Sequence, residues 1–265
     1  MPFISVRACS MALLLLSALL AGCATSHDPR DPLEPVNRGV YQFNEAVDKT
    51  VLKPVAKGYK AVVPPPVRNG VTNVFGTFTD VTTALNNLLQ GKLGDAASDV
   101  GRIAVNTTIG ILGVFDVATR LGLRKHHEDF GQTLGKWGVS DGPYLVLPLL
   151  GPSDFRDTVG LGLAYFTDPE FWLVTHSPET YIVFGARVVN VRANLLDAER
   201  IFDAAAIDKY AFLRDAYLQR RRTLIYDGNP PSNGQDTPRR KTLKEMEEEL
   251  DAEDPATPPP SPEPQ

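Results

Sequence analysis

A chain of 265 residues, 43% of them hydrophobic, carries enough apolar material for one substantial core. Its formal net charge of −5 and the lack of a dominant basic block argue against a nucleic-acid binder, whose affinity rests on neutralising phosphates. The two cysteines are Cys9 and Cys23; nothing after them offers an internal disulfide, a thiolate nucleophile or a cysteine zinc site.

Residues 1–22 have the make-up of a bacterial signal peptide. Arg7 supplies the positive start, and Met11 to Leu20 is an apolar run too short to span a bilayer. Leu20-Ala21-Gly22-Cys23 places a small pair before cysteine and resembles a lipobox, which implies cleavage before Cys23 and lipidation there. The alternative is an ordinary secretory leader with a chance cysteine. Arg7 is the only charged residue ahead of Cys23, so losing that segment takes the charge to −6. Ala24 stands where an aspartate would signal inner-membrane retention, so the lipobox resemblance implies sorting to the periplasmic face of the outer membrane. Several acyl chains on one cysteine hold firmly, since each buried methylene adds about 0.8 kcal/mol.

Residues 23–35 are polar and punctuated by proline, and read as a lipidated tether. A helical domain is expected over 36–228. Val36, Val40, Phe43, Val47 and Val51 form one apolar stripe on a first helix that starts near Pro35. Pro54 suits the first turn of a second helix through Lys60, which Pro64-Pro65-Pro66 ends. Val67 to Gln90 is mixed, and Gly91 closes it. Asp95 reads as an N-cap for a helix carrying Ala96, Val100, Ile103 and Ala104. Gly110 and Gly113 break the pattern before a short helix over Val114 to Leu121.

Residues 131–152 differ. Trp137, Tyr144, Leu145, Val146, Leu147, Leu149 and Leu150 stand among Gly131, Gly135, Gly138, Gly142, Pro143, Pro148, Gly151 and Pro152 without periodicity. A solvated loop would be polar, so this segment is either packed beneath helices or faces lipid. Ser153-Asp154 caps the next helix, and an aromatic cluster at Phe171 and Trp172 follows. Pro178-Glu179 opens a long helix to about Glu199, and Asp203 or Asp208 caps the last, with Tyr210, Leu213, Tyr217 and Leu224 on one face. Residues 229–265 form a proline-rich acidic tail expected to be disordered. No convincing strand alternation is visible, so the fold class is all-α: a bundle of amphipathic helices around an irregular Gly/Pro-rich segment. No apolar run after Cys23 reaches 18 residues, which leaves helices that lie on or in one leaflet.

Little catalytic chemistry is legible. His27, His126, His127 and His176 show no HExxH spacing, and His126-His127-Glu128-Asp129 reads as a solvated loop rather than a metal site. There is no nucleophile elbow, phosphate-binding loop or dinucleotide fingerprint. The chain reads as a non-enzyme with no metal and no cofactor. Arg38, Asp48, Arg102, Asp116, Arg156 and Asp157 interrupt apolar stretches and need partners or water. They are either buried structural pairs or the lining of a wet path.

A series of motifs then stands in order. Asp31-Pro32-Leu33-Glu34-Pro35-Val36-Asn37-Arg38 with Phe43-Asn44 opens it, followed by Lys53-Pro54-Val55-Ala56, Leu89-Gln90-Gly91 and Phe115-Asp116-Val117-Ala118. Asp129-Phe130-Gly131-Gln132-Thr133-Leu134-Gly135, Gly142-Pro143-Tyr144, Arg156-Asp157 and Arg214-Asp215 with Tyr217 complete it. The series, over residues 31–228, resembles the MlaA (VacJ) lipoproteins. That resemblance implies a ring of helices with a central amphipathic channel, set in the inner leaflet of the Gram-negative outer membrane. It implies removal of phospholipid misplaced in the outer leaflet, delivery to the periplasmic carrier MlaC, and association with trimeric porins of the OmpC/OmpF type. On this expectation Phe43, Asn44, Gly142, Pro143, Tyr144, Pro148, Arg156 and Asp157 are channel or gate candidates, and Cys23 is the lipidation site. The alternative is a porin-bound scaffold without a lipid passage of its own.

Overall fold

The computed structural model describes residues 28–231 apart from 168, 170–178 and 206–207. The leader, Cys23, Phe171, Trp172, His176 and nearly all of the tail lie outside the described residues, as do the side chains of 200–205, including the alternative cap Asp203. In chain order come α1 (Glu34–Val47), a π-helical turn (Asp48–Leu52), α2 (Lys53–Val62), α3 (Pro65–Leu89), α4 (Leu93–Thr108), α5 (Val117–Arg120) and α6 (Phe130–Lys136). Strands β1 (Tyr144–Leu147) and β2 (Gly151–Asp154) follow, then α7 (Phe155–Thr167), α8 (Glu179–Ala205) and α9 (Lys209–Ile225). Helix dominates, as the sequence predicts.

The boundaries follow local chemistry. Pro54 has no N–H to give to the carbonyl of Thr50. The chain takes up that mismatch in the π turn, where the Lys53 N–H reaches back to the Asp48 carbonyl, so α1 and α2 join without a break. Pro65 and Pro66 sit at the first turn of α3 and begin it rather than ending α2. The stretch from Val67, which lacks a clean stripe, is one continuous helix to Leu89. Lys92 takes the N-cap place of α4, and Asp95 falls within its first turn. Asp208 does cap α9, accepting from the N–H groups of Tyr210 and Ala211. Asp154 caps α7, accepting from the Asp157 N–H at 2.7 Å.

Two expectations are corrected. The Gly/Pro-rich segment is not wholly irregular, because it holds α6 and an antiparallel hairpin that pairs Tyr144 with Asp154 and Leu147 with Gly151. β2 reads Gly-Pro-Ser-Asp, a composition with no strand signal. The packed fold also begins earlier than residue 36: Asp31 is fully buried, and the Arg30 carbonyl accepts from the Tyr144 N–H.

The distribution of polarity is inverted. Among the described residues the buried positions comprise eighteen polar or charged side chains against nine hydrophobic ones, five of which are alanines. Large apolar side chains stand outside, among them Phe43, Val62, Leu112, Phe115, Phe155, Phe166 and Ile182. A water-soluble body hides its apolar surface. This one hides hydrogen-bonded charge and displays hydrocarbon, the arrangement suited to apolar surroundings. No helix among the described residues is long and apolar enough to cross a membrane.

Candidate functional site

The hairpin is held from α1 by two asparagines. In a two-stranded sheet each strand keeps one edge unpaired. On the free edge of β1, Asn37 Nδ2 donates to the Tyr144 carbonyl (2.9 Å), and Asn37 Oδ1 accepts from the Val146 N–H (2.9 Å). Asn44 repeats the pattern at the turn, donating to the Leu147 carbonyl (2.9 Å) and accepting from the Leu149 N–H (2.8 Å). The two lie seven residues apart, about 10 Å along one helix face, close to the rise of three strand residues. α1 thus substitutes for a third strand. Phe43, beside Asn44, is exposed.

The candidate residues of the hairpin have distinct places. Gly142 adopts φ +69°, and a Cβ there would stand 3.0 Å from Phe155 Cβ, so glycine is required on two counts. The Pro143 carbonyl accepts from the Phe155 N–H. Pro148 leads into a turn in which Leu149 has φ +64° and both Leu149 and Leu150 are exposed. Tyr144 is buried in a small cluster with Val146 and Tyr210, its ring edge-on to Tyr210 at 6.3 Å and tilted against Tyr217 at 5.9 Å. Its hydroxyl has no partner among the described residues, and burial pushes the phenol well above the usual tyrosine range. Tyr144→Phe is therefore expected to leave thermal stability unchanged or slightly raised. Tyr144→Ala should cost about 3–5 kcal/mol, measurable by denaturant unfolding in detergent.

Beneath the hairpin Arg156 and Asp157 are buried and belong to one charge network. Arg156 contacts Asp154 (3.1 Å) and Asp157 (3.3 Å). Arg221 of α9 reaches Asp129 (2.6 Å) and Asp157 (2.7 Å), and the Tyr217 hydroxyl donates to Asp157. Asp129 also caps α6 through the Gln132 N–H. Burial, helped by the neighbouring Asp157 charge, pushes Asp154 up to about 6. Burial also works against Asp129, but the Arg221 guanidinium outweighs it and holds that carboxyl below its ordinary value. Gly131 makes the approach possible: a Cβ there would lie 2.2 Å from Asp157 Oδ1.

Two further networks stiffen the body. Arg102 of α4 is wholly covered, contacting Asp80 (3.3 Å), Asp116 (3.2 Å), Thr119 and the Leu123 carbonyl. Lys125 adds a second cation to Asp80 at 3.0 Å. Arg192 of α8 bridges Asp48 and Glu199, which also takes Lys53. Of the charges singled out in the sequence, Arg38 pairs with Glu34 and Asp208 and stacks on the Tyr210 ring at 4.3 Å. His126 meets the buried carboxylate of Asp99 at 2.9 Å, and no group of three metal-ligating side chains converges among the described residues.

Asn86, Asn87 and Arg221 are not singled out in the sequence, and Asn37, Asn106, Asp129 and Tyr217 are not read there as network members, yet all complete these networks. Asparagine is a poor helix former, and its recurrence at Asn37, Asn86, Asn87 and Asn106 amid apolar residues is the available signal.

A helical body with its charges paired inside and hydrocarbon outside, carrying a β-hairpin pinned to its first helix, defines a protein of lipid surroundings. The family model described as MlaA lipoprotein matches residues 29–224, and the chain belongs to that family. It is similar to the Escherichia coli (strain K12) protein named intermembrane phospholipid transport system lipoprotein MlaA, with 32% identity over 91% of this chain and 98% of that one. The Haemophilus influenzae protein of the same name is 32% identical over 81% of this chain and 89% of its own. A protein of Rickettsia bellii without an assigned role is 34% identical over 79% and 81%. A solved chain from work on the structural basis for maintenance of bacterial outer membrane lipid asymmetry superposes with TM-score 0.64 and 31% identity, covering 74% of this chain and 98% of that chain.

Proposed function

We propose that this protein is an outer-membrane lipoprotein, anchored through Cys23, that removes phospholipid misplaced in the outer leaflet and passes it to a soluble periplasmic carrier of the MlaC type. The observation that carries the reading is the inverted polarity: paired charges and amides within, hydrocarbon-compatible side chains without. A phospholipid crossing a leaflet needs both. Its charged headgroup must keep polar partners throughout, because an ion taken into hydrocarbon alone pays heavily for lost hydration. Its acyl tails need continuous apolar contact. Misplaced lipid runs downhill out of an ordered leaflet, so the step requires no nucleotide and no covalent chemistry, and the protein works as a conduit rather than an enzyme. A trimeric porin of the OmpC/OmpF type would hold it in place.

In this reading the hairpin is the movable element that admits lipid to a central lumen, and α1 sets its resting position through Asn44. The exposed Leu149–Leu150 tip is apolar and its turn is strained, so few bonds oppose its displacement. Asn44→Ala removes both bonds to the turn while leaving the pair from Asn37 intact. Outer-leaflet phospholipid in cells carrying this variant should change markedly from wild type at equal protein level, and so should detergent sensitivity. Gly142→Val, which strains the base of the same hairpin, should act with it. Wild-type values for both variants would reduce the hairpin to packing.

A further inference from the structure

The loop between α4 and α5 has a conformation that neither helix requires. Ile111 (φ +54°), Leu112 (+55°) and Gly113 (+87°) are three consecutive left-handed residues. For a β-branched isoleucine that geometry is a true outlier and is strained. The strain drives apolar side chains outward: Leu112 is 74% exposed and Ile111 62%, with Ile109 and Phe115 beside them.

Six of the seven backbone N–H groups from Ile109 to Phe115, all but that of Ile111, are nonetheless closed within the loop and the end of α4. The N–H groups of Ile109 and Gly110 reach the Val105 carbonyl, that of Leu112 the Thr107 carbonyl and that of Gly113 the Asn106 carbonyl. Those of Val114 and Phe115 reach Ile111 and Gly110. Asn73 of α3 donates to the Val114 carbonyl at 3.0 Å. Glycine is demanded at both hinges, since a Cβ at Gly110 would lie 2.3 Å from the Phe115 carbonyl oxygen and one at Gly113 2.7 Å from Thr77 Oγ1. An exposed loop in water has no need to satisfy its own donors. A loop in hydrocarbon must, because nothing there can replace them. Just beyond it, Arg120 and Arg124 are exposed and make no ion pair or hydrogen bond among the described residues, as befits cations at the level of phosphate headgroups.

We propose that Ile109–Phe115 is a preformed wedge that inserts into the acyl region of a phospholipid leaflet, with Arg120 and Arg124 at its headgroup boundary. This fixes the depth of the body independently of the acyl anchor, and it holds whether or not the interior conducts lipid. The full acylated chain with Leu112→Cys, labelled with an environment-sensitive fluorophore, is placed in vesicles of phosphatidylethanolamine and phosphatidylglycerol. A nitroxide lipid quencher is carried either deep in the acyl chain or on the headgroup. The deep quencher should remove most of the Leu112 emission and the headgroup quencher little of it; a label at Arg124→Cys should show the reverse. Ile111→Cys repeats the measurement, guarding against one misfolded variant. Water-like emission at both loop positions overturns the proposal. So does blue-shifted emission that no lipid quencher reaches, which would mean that a protein surface covers the wedge.

Discussion

Arg102→Met is expected to destabilise the fold by about 3–5 kcal/mol, because it leaves the partly buried Asp116 without a cation and the buried Asp80 with Lys125 alone. The loss should appear as a lowered denaturant midpoint in detergent. Adding Asp80→Asn and Asp116→Asn should recover part of it, since the cost lies mainly in the uncompensated charges rather than in the missing bonds. If Arg102→Met alone unfolds like wild type, the guanidinium is hydrated and the polar interior is not as closed as described. The same site has a pH signature. Burial opposes ionisation of Asp116, but hydrogen bonds from Thr119 and Asn106 and the Arg102 charge prevail and hold it at about 2 against an ordinary 3.8. Its folded value is depressed, so its contribution is complete above about pH 4 and is lost as pH falls toward 2. Asp116→Asn should flatten that acid limb.

Gly160→Ala is expected to be the other severe lesion. A Cβ at Gly160 would stand 2.5 Å from the backbone nitrogen of Gly131 and 3.0 Å from its Cα. Neither can rotate away, so α6 and α7 must separate. Overpacking of this kind costs about 1–3 kcal/mol, and separation would also strain the bridge that Arg221 makes between Asp129 and Asp157. A control sits on the same helix. Gly162 has nothing within 4 Å of its Cβ position, so Gly162→Ala should stabilise by a few tenths to about 1 kcal/mol. Equal midpoints for the two alanine variants would contradict a close α6–α7 crossing at Gly160.

Much of the helical framework was legible because helix starts carry local chemistry: Pro35, Asp154 and Asp208 mark real boundaries. The π turn at Asp48–Leu52 was not, since Pro54 fits a fresh helix start as well as a repaired one. The hairpin was hidden for a different reason. β1 offers only four residues of pattern, and β2 is ordered by Asn37 and Asn44, which lie over a hundred residues away and act on the partner strand. The charge networks were half visible. Arg156 and Asp157 stand out in an apolar context, but Arg221 and Asp129 are joined across 92 residues and look like ordinary surface charges in sequence. The periodicity of α1 identified a stripe without saying which way it faces. Val36, Phe43 and Val51 are exposed while Val40 packs against the Tyr144 cluster, so the face turned inward is the one that carries Asn37, Val40 and Asn44. An apolar stripe means burial only when the surroundings are water.

The most direct test uses a Gram-negative strain deleted for its own MlaA-family lipoprotein and measures phospholipid in the outer leaflet. Expression of this chain, processed and acylated in the outer membrane, should return surface phospholipid to the parental level, while a Cys23→Ser form that cannot be acylated should not. An acylated, correctly located protein that leaves surface phospholipid as high as in the deleted strain would contradict the assignment.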